Sequence, residues 1–316
     1  MKFPKIFSRK PTKHAPLKTE GVNFAYGKTP VLRNVTLEIK EGTITAIIGK
    51  SGCGKSTFLK LVSGIISKRY KGKIKVFGKG KSWNKSKMGF VPQEISIIPD
   101  LSIKDNIKLA GLNLGISEPL ALKRGQMFLK LLKLDEDLNK KPDELSGGQK
   151  VRLNIILSLL HNPKFLILDE PFVGLDYQNR KLLWHFLESM KKKGKAIILT
   201  SHLLSETEEN VDRIIILKAG KVFFTGKPEK LKERLKIQYI YEIKFSRLSK
   251  ENSEKIQEYA RYKKIPILDH YEKYMMIALE SNKTKTLITN FFNKLNLIYD
   301  EIGLREPNLD EIFLKE

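Results

Sequence analysis

The chain has one cysteine, two tryptophans and far fewer acidic than basic side chains. A single thiol excludes an internal disulfide and fits a reducing compartment. Long apolar runs are missing too. The longest pieces, such as Phe165–Leu168 and Ile155–Leu157, fall far short of the ~18–20 residues that cross a bilayer. The N-terminus, MKFPKIFSRKPTKHAP, is basic without an apolar signal core, so secretion is not expected. There is no internal repeat and no heptad run. A basic strip interleaved with aromatics, the pattern of a nucleic-acid platform, is also lacking.

What is there suits a folded protein. Of 316 residues, 41% are hydrophobic and 30% charged, enough for a core and for one large domain plus a small one. Fifty-nine Lys and Arg against 35 Asp and Glu give a net charge of +24. That points to a polyanion (nucleic acid, an anionic lipid surface or nucleotide phosphates) or to lysines on solvated faces. The excess is uneven. Residues 235–316 hold 14 basic and 13 acidic residues, whereas 60–87 hold ten basic residues (Lys60, Lys68, Arg69, Lys71, Lys73, Lys75, Lys79, Lys81, Lys85, Lys87) and no acid.

The pattern divides the chain into a basic tail (1–16), a large domain (17–234) and a small one (235–316). From Leu17 to Ile48 the pattern is strand-like, ending in the β-branched run Thr43–Ile48. Helical spacing appears in Ile103–Leu109, Leu120–Leu134 and Gly147–Leu160. Strands at Phe165–Leu168, Ala196–Thr200 and Arg213–Leu217 then alternate with helices, which implies an α/β domain with a mostly parallel sheet. After Leu235 the expected order is β-α-β-α-β, a small α+β domain closing on a short helix at Asn308–Phe313.

Residues 49–57 read Gly49, Lys50, Ser51, Gly52, Cys53, Gly54, Lys55, Ser56 and Thr57. This is G-x-x-x-x-G-K-[ST], after a buried strand and before a helix. Its glycines let backbone N–H groups converge on a phosphate chain, and the helix N-terminus adds its dipole. Lys55 can reach the β- and γ-phosphates, and the Ser56 hydroxyl suits Mg²⁺. Cys53 reads as a packing residue, yet it sits beside a cationic site that favours a thiolate. On that basis alkylation should block nucleotide binding.

Phe165-Leu-Ile-Leu-Asp169-Glu170 puts two carboxylates at the end of a buried strand, where open α/β sheets bind ligands. Asp169 is placed to support Mg²⁺, and Glu170 is a candidate general base for an attacking water.

With Leu145-Ser146-Gly147-Gly148-Gln149 between these two motifs, the chain resembles the ATP-binding-cassette (ABC) ATPases over about Leu17–Glu233. The resemblance implies a P-loop NTPase cassette: a RecA-like core, an antiparallel β subdomain and a helical subdomain at about 97–160, with the small α+β domain appended. It implies that Ser146, Gly147 and Gly148, with Gln149 closing the motif, meet the γ-phosphate of ATP held by a second subunit. Tyr26 stands where the family stacks adenine. Gln93 stands where it touches Mg²⁺ and senses the transmembrane partner. Asp176 matches the loop joining the two sites, and His202 the switch histidine at the γ-phosphate. Phe172-Val173 depart from the commoner Thr-Ser. The resemblance further implies ATP and Mg²⁺ as cofactors, a homo- or heterodimer of cassettes, and a separate permease. It implies a peripheral place on the cytoplasmic face of the membrane.

The stretch Arg305–Leu314 (REPNLDEIFL) resembles the closing segment of export-type members, so export is expected. The alternative is a soluble or regulatory ABC ATPase not coupled to transport, for example one linked to nucleic acid. Against it, only 91 residues separate Lys55 from Ser146, too few for the coiled coil of chromosome-type relatives, and only one cassette is present. The charge then reads as a lysine-rich face attracted to anionic lipid headgroups.

Overall fold

The computed structural model describes residues 14–80, 85–134, 136–235, 239–271, 273–279 and 282–307. Most of the expected tail (1–13), Lys81 and the short helix at Asn308–Phe313 lie outside the described residues. The chain divides into two compact units. One runs to Leu203 and includes Asn210–Thr225; the other takes Leu204–Glu209 and everything from Gly226.

The first part of the chain runs through β1 (Leu17–Tyr26), β2 (Thr29–Ile39), β3 (Ile44–Ile48), α1 (Lys55–Val62), β4 (Lys71–Val76) and β5 (Met88–Val91). Next come α2 (Ile103–Asn113), α3 (Glu118–Leu131), α4 (Gly147–Leu159), β6 (Phe165–Leu168), α5 (Tyr177–Lys192) and β7 (Ala196–Thr200). Then follow α6 (Leu204–Asn210), β8 (Arg213–Lys218) and β9 (Lys221–Gly226).

Two sheets form. β1, β2 and β4 make an antiparallel sheet in the order β2-β1-β4. The other has the order β5-β6-β7-β3-β8-β9. Its pairs β5/β6, β6/β7, β7/β3 and β3/β8 are parallel. Every residue of β3, β6 and β7 is buried, as expected of strands covered on both faces. β8 and β9 are joined by Ala219 and Gly220, both with positive φ (46° and 77°). This matches the two-residue turn of an antiparallel hairpin. The shared direction of the four parallel pairs brings the C-terminal ends of β3, β5, β6 and β7 to one side of the sheet, where such folds place ligands. α2, α3 and α4 pack on one another.

The second unit continues with α7 (Pro228–Leu235), β10 (Tyr239–Phe245), α8 (Lys250–Tyr262), β11 (Ile267–Tyr271), β12 (Tyr274–Leu279), α9 (Asn282–Lys294) and β13 (Tyr299–Arg305). Its sheet is antiparallel, in the order β11-β12-β10-β13. Ile256 and Ala260 of α8 and Ile288 and Phe292 of α9 bury against Tyr241, Ile243, Phe245, Met275 and Ile277. The true order is therefore β-α-β-β-α-β, the ferredoxin-like arrangement, with one strand more than expected. β11 escapes a period-2 reading because its register with β12 slips between Ile267 and Asp269. Among the described residues, no helix is long and apolar enough to cross a membrane.

Candidate functional site

The loop between β3 and α1 is shaped by glycines with distinct duties. A Cβ on Gly49 would lie 2.3 Å from the Leu217 carbonyl oxygen and 2.6 Å from Cys53 Sγ, so only glycine lets β3 pass into the loop there. Gly54 has φ 107° and starts α1 with no side-chain cap. The first-turn N–H groups of α1 are thus left uncapped at the loop, the arrangement that receives anions. Lys50, Ser51 and Gly52 are exposed, Cys53, Gly54 and Lys55 are buried, and Ser56 and Thr57 are partly buried. Lys55 Nζ donates to the carbonyl oxygens of Gly49 (2.8 Å) and Lys50 (3.4 Å). The expected thiolate at Cys53 is not supported. Burial pushes its thiol above the ordinary value, outweighing the opposing charge of Lys55.

At the end of β6 the two carboxylates take different surroundings. Asp169 is fully buried. Its Oδ1 accepts from the hydroxyls of Ser56 (2.9 Å) and Thr200 (2.8 Å). Its Oδ2 is buried with no hydrogen-bond partner. A buried carboxylate oxygen left over beside a loop serine fits a hard divalent cation. Glu170 adopts φ 51°, a left-handed conformation that costs a non-glycine residue about 1 kcal/mol or more. Its N–H donates to Thr200 Oγ1 at 2.8 Å. Its Oε1 lies 3.0 Å from Nε2 of the exposed His202. Burial raises the Glu170 carboxyl above its ordinary value, while His202 and Lys55 oppose that rise.

The structure thus brings Ser56, Asp169, Glu170 and His202 into one hydrogen-bonded group. It adds Thr200, which the motifs alone do not single out although it sits in the Thr200-Ser201-His202 run. Gln93 is exposed just beyond β5. The Asp169 N–H donates to Val91 O at 2.9 Å, which places the Val91-Pro92-Gln93 turn beside the acidic pair. Tyr26 is 43% exposed at the end of β1. Phe24 packs against it at 4.9 Å and 87°, and Lys68 Nζ stands over its ring, 5.7 Å from the centroid.

The Ser146–Gln149 segment bonds elsewhere. Ser146 Oγ accepts from Gln149 N–H (3.3 Å), and Gln149 Oε1 accepts from Ser146 N–H (2.7 Å). This capping box opens α4. Gln149 Nε2 also donates to Glu136 at 2.6 Å, a partner that the motif does not announce. Ser146 and Gly147 are exposed. Asp176 caps α5: its two oxygens accept from the N–H (2.8 Å) and the Nδ2 (2.7 Å) of Asn179. These bonds hold its carboxyl below the ordinary range. A Cβ on Gly148 would be 3.3 Å from Asn179 Nδ2, so the starts of α4 and α5 adjoin. Phe172 is buried, stacked on Trp184 at 4.3 Å and 29°, whereas Val173 is exposed.

A buried strand, an uncapped glycine loop with its lysine, and an acidic pair at the next strand's end define a P-loop nucleoside triphosphatase. The comparisons narrow this. The ABC transporter family model matches residues 32–173. The linearmycin resistance ATP-binding protein LnrL of Bacillus subtilis is 31% identical, over 94% of this chain and 97% of that protein. The lantibiotic transport ATP-binding protein SrtF of Streptococcus pyogenes is 36% identical, over 72% and 98%. Among solved structures, the ADP- and phosphate-bound dimer of the cassette MJ0796 superposes with TM-score 0.60 at 29% identity, covering 67% of this chain and 98% of that one. The chain belongs to the ATP-binding proteins of ABC transporters, and it binds and hydrolyses ATP.

Proposed function

We propose that the chain powers a separate membrane permease that exports its substrate, and that two cassettes enclose two ATP molecules head to tail. The observation that carries the catalytic part is the group Ser56–Asp169–Thr200–Glu170–His202. Support for export comes from relatives named for linearmycin resistance and for lantibiotic transport, and support for the dimer from the dimeric MJ0796 cassette.

On this reading the residues Gly49–Thr57 wrap the phosphates, and Lys55 turns its ammonium from the loop carbonyls to the β- and γ-phosphates. Ser56, Asp169 through its unengaged Oδ2, and Gln93 hold Mg²⁺. When bound, that ion supplies charge neutralisation at the phosphate oxygens. Glu170 accepts a proton from the attacking water, and His202 leaves Glu170 to meet the γ-phosphate. Tyr26 stacks the base. Ser146, Gly147 and Gly148, held in place by the capping bonds of Gln149, face the other subunit's ATP, and Asp176 joins the two sites.

The unit beginning at Gly226 acts as an accessory domain. A groove of about 550 Å³, lined in part by Ile65, Phe90, Pro92, Leu114 and His161, opens next to Gln93. Its apolar lining and its nearness to that glutamine suit a cytoplasmic segment of the permease. Lys71, Lys73 and Lys75 alternate outward on the edge strand β4, with Lys18 opposite Lys75, a face suited to anionic headgroups. Purification of the tagged chain from membranes tests the main reading. A polytopic protein should copurify and raise the ATPase rate, and Leu114→Asp should abolish copurification while ATP binding persists. An ATPase rate indifferent to every membrane protein recovered would overturn it. Unchanged liposome binding after charge reversal of the β4 lysines would remove the lipid contact.

A further inference from the structure

In the second unit the antiparallel sheet ends on two unlike strands, β11 and β13. β11 follows Pro266 and slips in register between Ile267 and Asp269, features that blunt an edge. β13 shows neither over Glu301–Arg305, where it pairs residue for residue with β10 from Lys244 back to Ile240. Among the described residues no strand lies on its other side. Alternate N–H and C=O groups of β13 therefore point away from the sheet.

Gly303 is the midpoint of that regular run. A glycine inside a strand weakens it and often marks a place where another backbone comes close. This one answers no need of its own unit. Its φ is not positive, and a Cβ there would find Glu242 nearest, at an ordinary 3.8 Å. The side chains around it complement one another. On one face Lys244 Nζ donates to Glu301 (2.6 Å) and Arg305 Nη2 donates to Glu242 (2.7 Å). On the other, Ile302 packs on the core while Leu304 is 43% exposed.

We infer that two copies of this chain pair their β13 strands antiparallel about a two-fold axis at Gly303, joining two four-stranded sheets into one. In this register Glu301 faces Arg305 of the second copy, and Ile302 faces its Leu304. The two-fold repeats each contact. Lys244, Glu301, then Arg305 and Glu242 of the second copy alternate in sign across the seam, and cross-strand pairs of opposite charge stabilise a sheet. Gly303 meets Gly303 on the axis, so no side chain stands between the two ion pairs. Slipping one copy by two residues in either direction sets Glu301 or Arg305 opposite Gly303 and forfeits both pairs.

The test is sedimentation velocity of the full chain without nucleotide, since ATP bridges the separate, head-to-tail pairing of cassettes. The wild type should dimerise. Glu301→Arg and Arg305→Glu each set like charges opposite one another twice, and each should weaken dimerisation about tenfold or more. Mixed in equal amounts, the two variants should regain the wild-type affinity, because unlike charges then face each other at both positions. No effect confined to one chain produces that rescue. Gly303→Lys, for which the single chain has room, should abolish dimerisation without lowering the melting temperature. It decides the matter should Arg305→Glu, which loses its bond to Glu242, fail to fold. A wild type that stays monomeric as its concentration rises overturns the inference. So does a mixture of the folded variants that associates no better than either alone, or a Gly303→Lys chain that dimerises like the wild type.

Discussion

His202 Nε2 lies 3.0 Å from Glu170 Oε1, joining the exposed imidazole after β7 to the buried carboxylate after β6. Glu170 is held there by its own strained backbone, φ 51°, and by the Thr200 hydroxyl that accepts its N–H. The carboxylate that would take a proton from water is aimed by three separate constraints. Glu170→Gln keeps the shape and removes the basicity. ATP should remain bound, and turnover should fall about 10²- to 10⁴-fold. Steady-state phosphate release together with equilibrium ATP binding measures both. Turnover near the wild-type rate would remove Glu170 as the base.

Thr200 gives a second test. Its hydroxyl donates to Asp169 Oδ1 and accepts from Glu170 N–H, so one atom fixes the spacing of the two carboxylates. Thr200→Val keeps the volume and leaves a buried carboxylate and a buried N–H short of a partner, at about 1–3 kcal/mol. The melting temperature should drop and kcat should fall more than ATP affinity. Thr200→Ser should restore both, and failure of serine to rescue would assign the loss to packing.

Much of this site is legible from residue order alone. β6 and β7 have the expected bounds because four or five apolar residues in a row, ended by charge or by a turn, leave little choice. What escapes depends on contacts. The sequence Pro228–Leu235 sets only two leucines, Leu231 and Leu235, among five charged residues, too little periodicity to announce α7. Nothing in Leu168-Asp169-Glu170 signals a left-handed glutamate, since that conformation is imposed by Thr200 and by the passage from β6 into the next turn. Phe172-Val173 are legible only as a departure from the commoner Thr-Ser. Only Val173 is exposed, because Trp184 on α5 offers Phe172 a stacking surface.

Cys53 should be inert in the folded chain. It is buried behind Gly49, its Sγ close enough to exclude any Cβ there, and burial raises its thiol, which lowers the reactive thiolate fraction. Maleimide labelling followed by mass spectrometry should be slow in buffer and complete in denaturant. Cys53→Ala should bind ATP as the wild type does. Rapid labelling of the native chain would show that the loop opens.

Lys195 links the fold to pH. It precedes β7, is buried, and its Nζ donates to Asn162 Oδ1 at 2.7 Å and to the Pro163 carbonyl. Burial, with the charges of Lys193, Arg124 and Lys164, pushes it down to about 7. Lys193 is pushed down to about 8 by burial. An unfolded lysine titrates near 10.4. Between about 7 and 10 the unfolded chain therefore holds protons that the folded chain has released. Raising the pH through that window should stabilise the fold, and lowering it toward 7 should destabilise it, as read by denaturant midpoints at several pH values. Asn162→Asp puts a carboxylate in place of the amide oxygen that the Lys195 ammonium reaches. Asn162 has φ 57°, a conformation aspartate also tolerates. The variant should raise the Lys195 value, increase stability near pH 7 and flatten the pH slope. A slope unchanged by the substitution would place its origin in other groups.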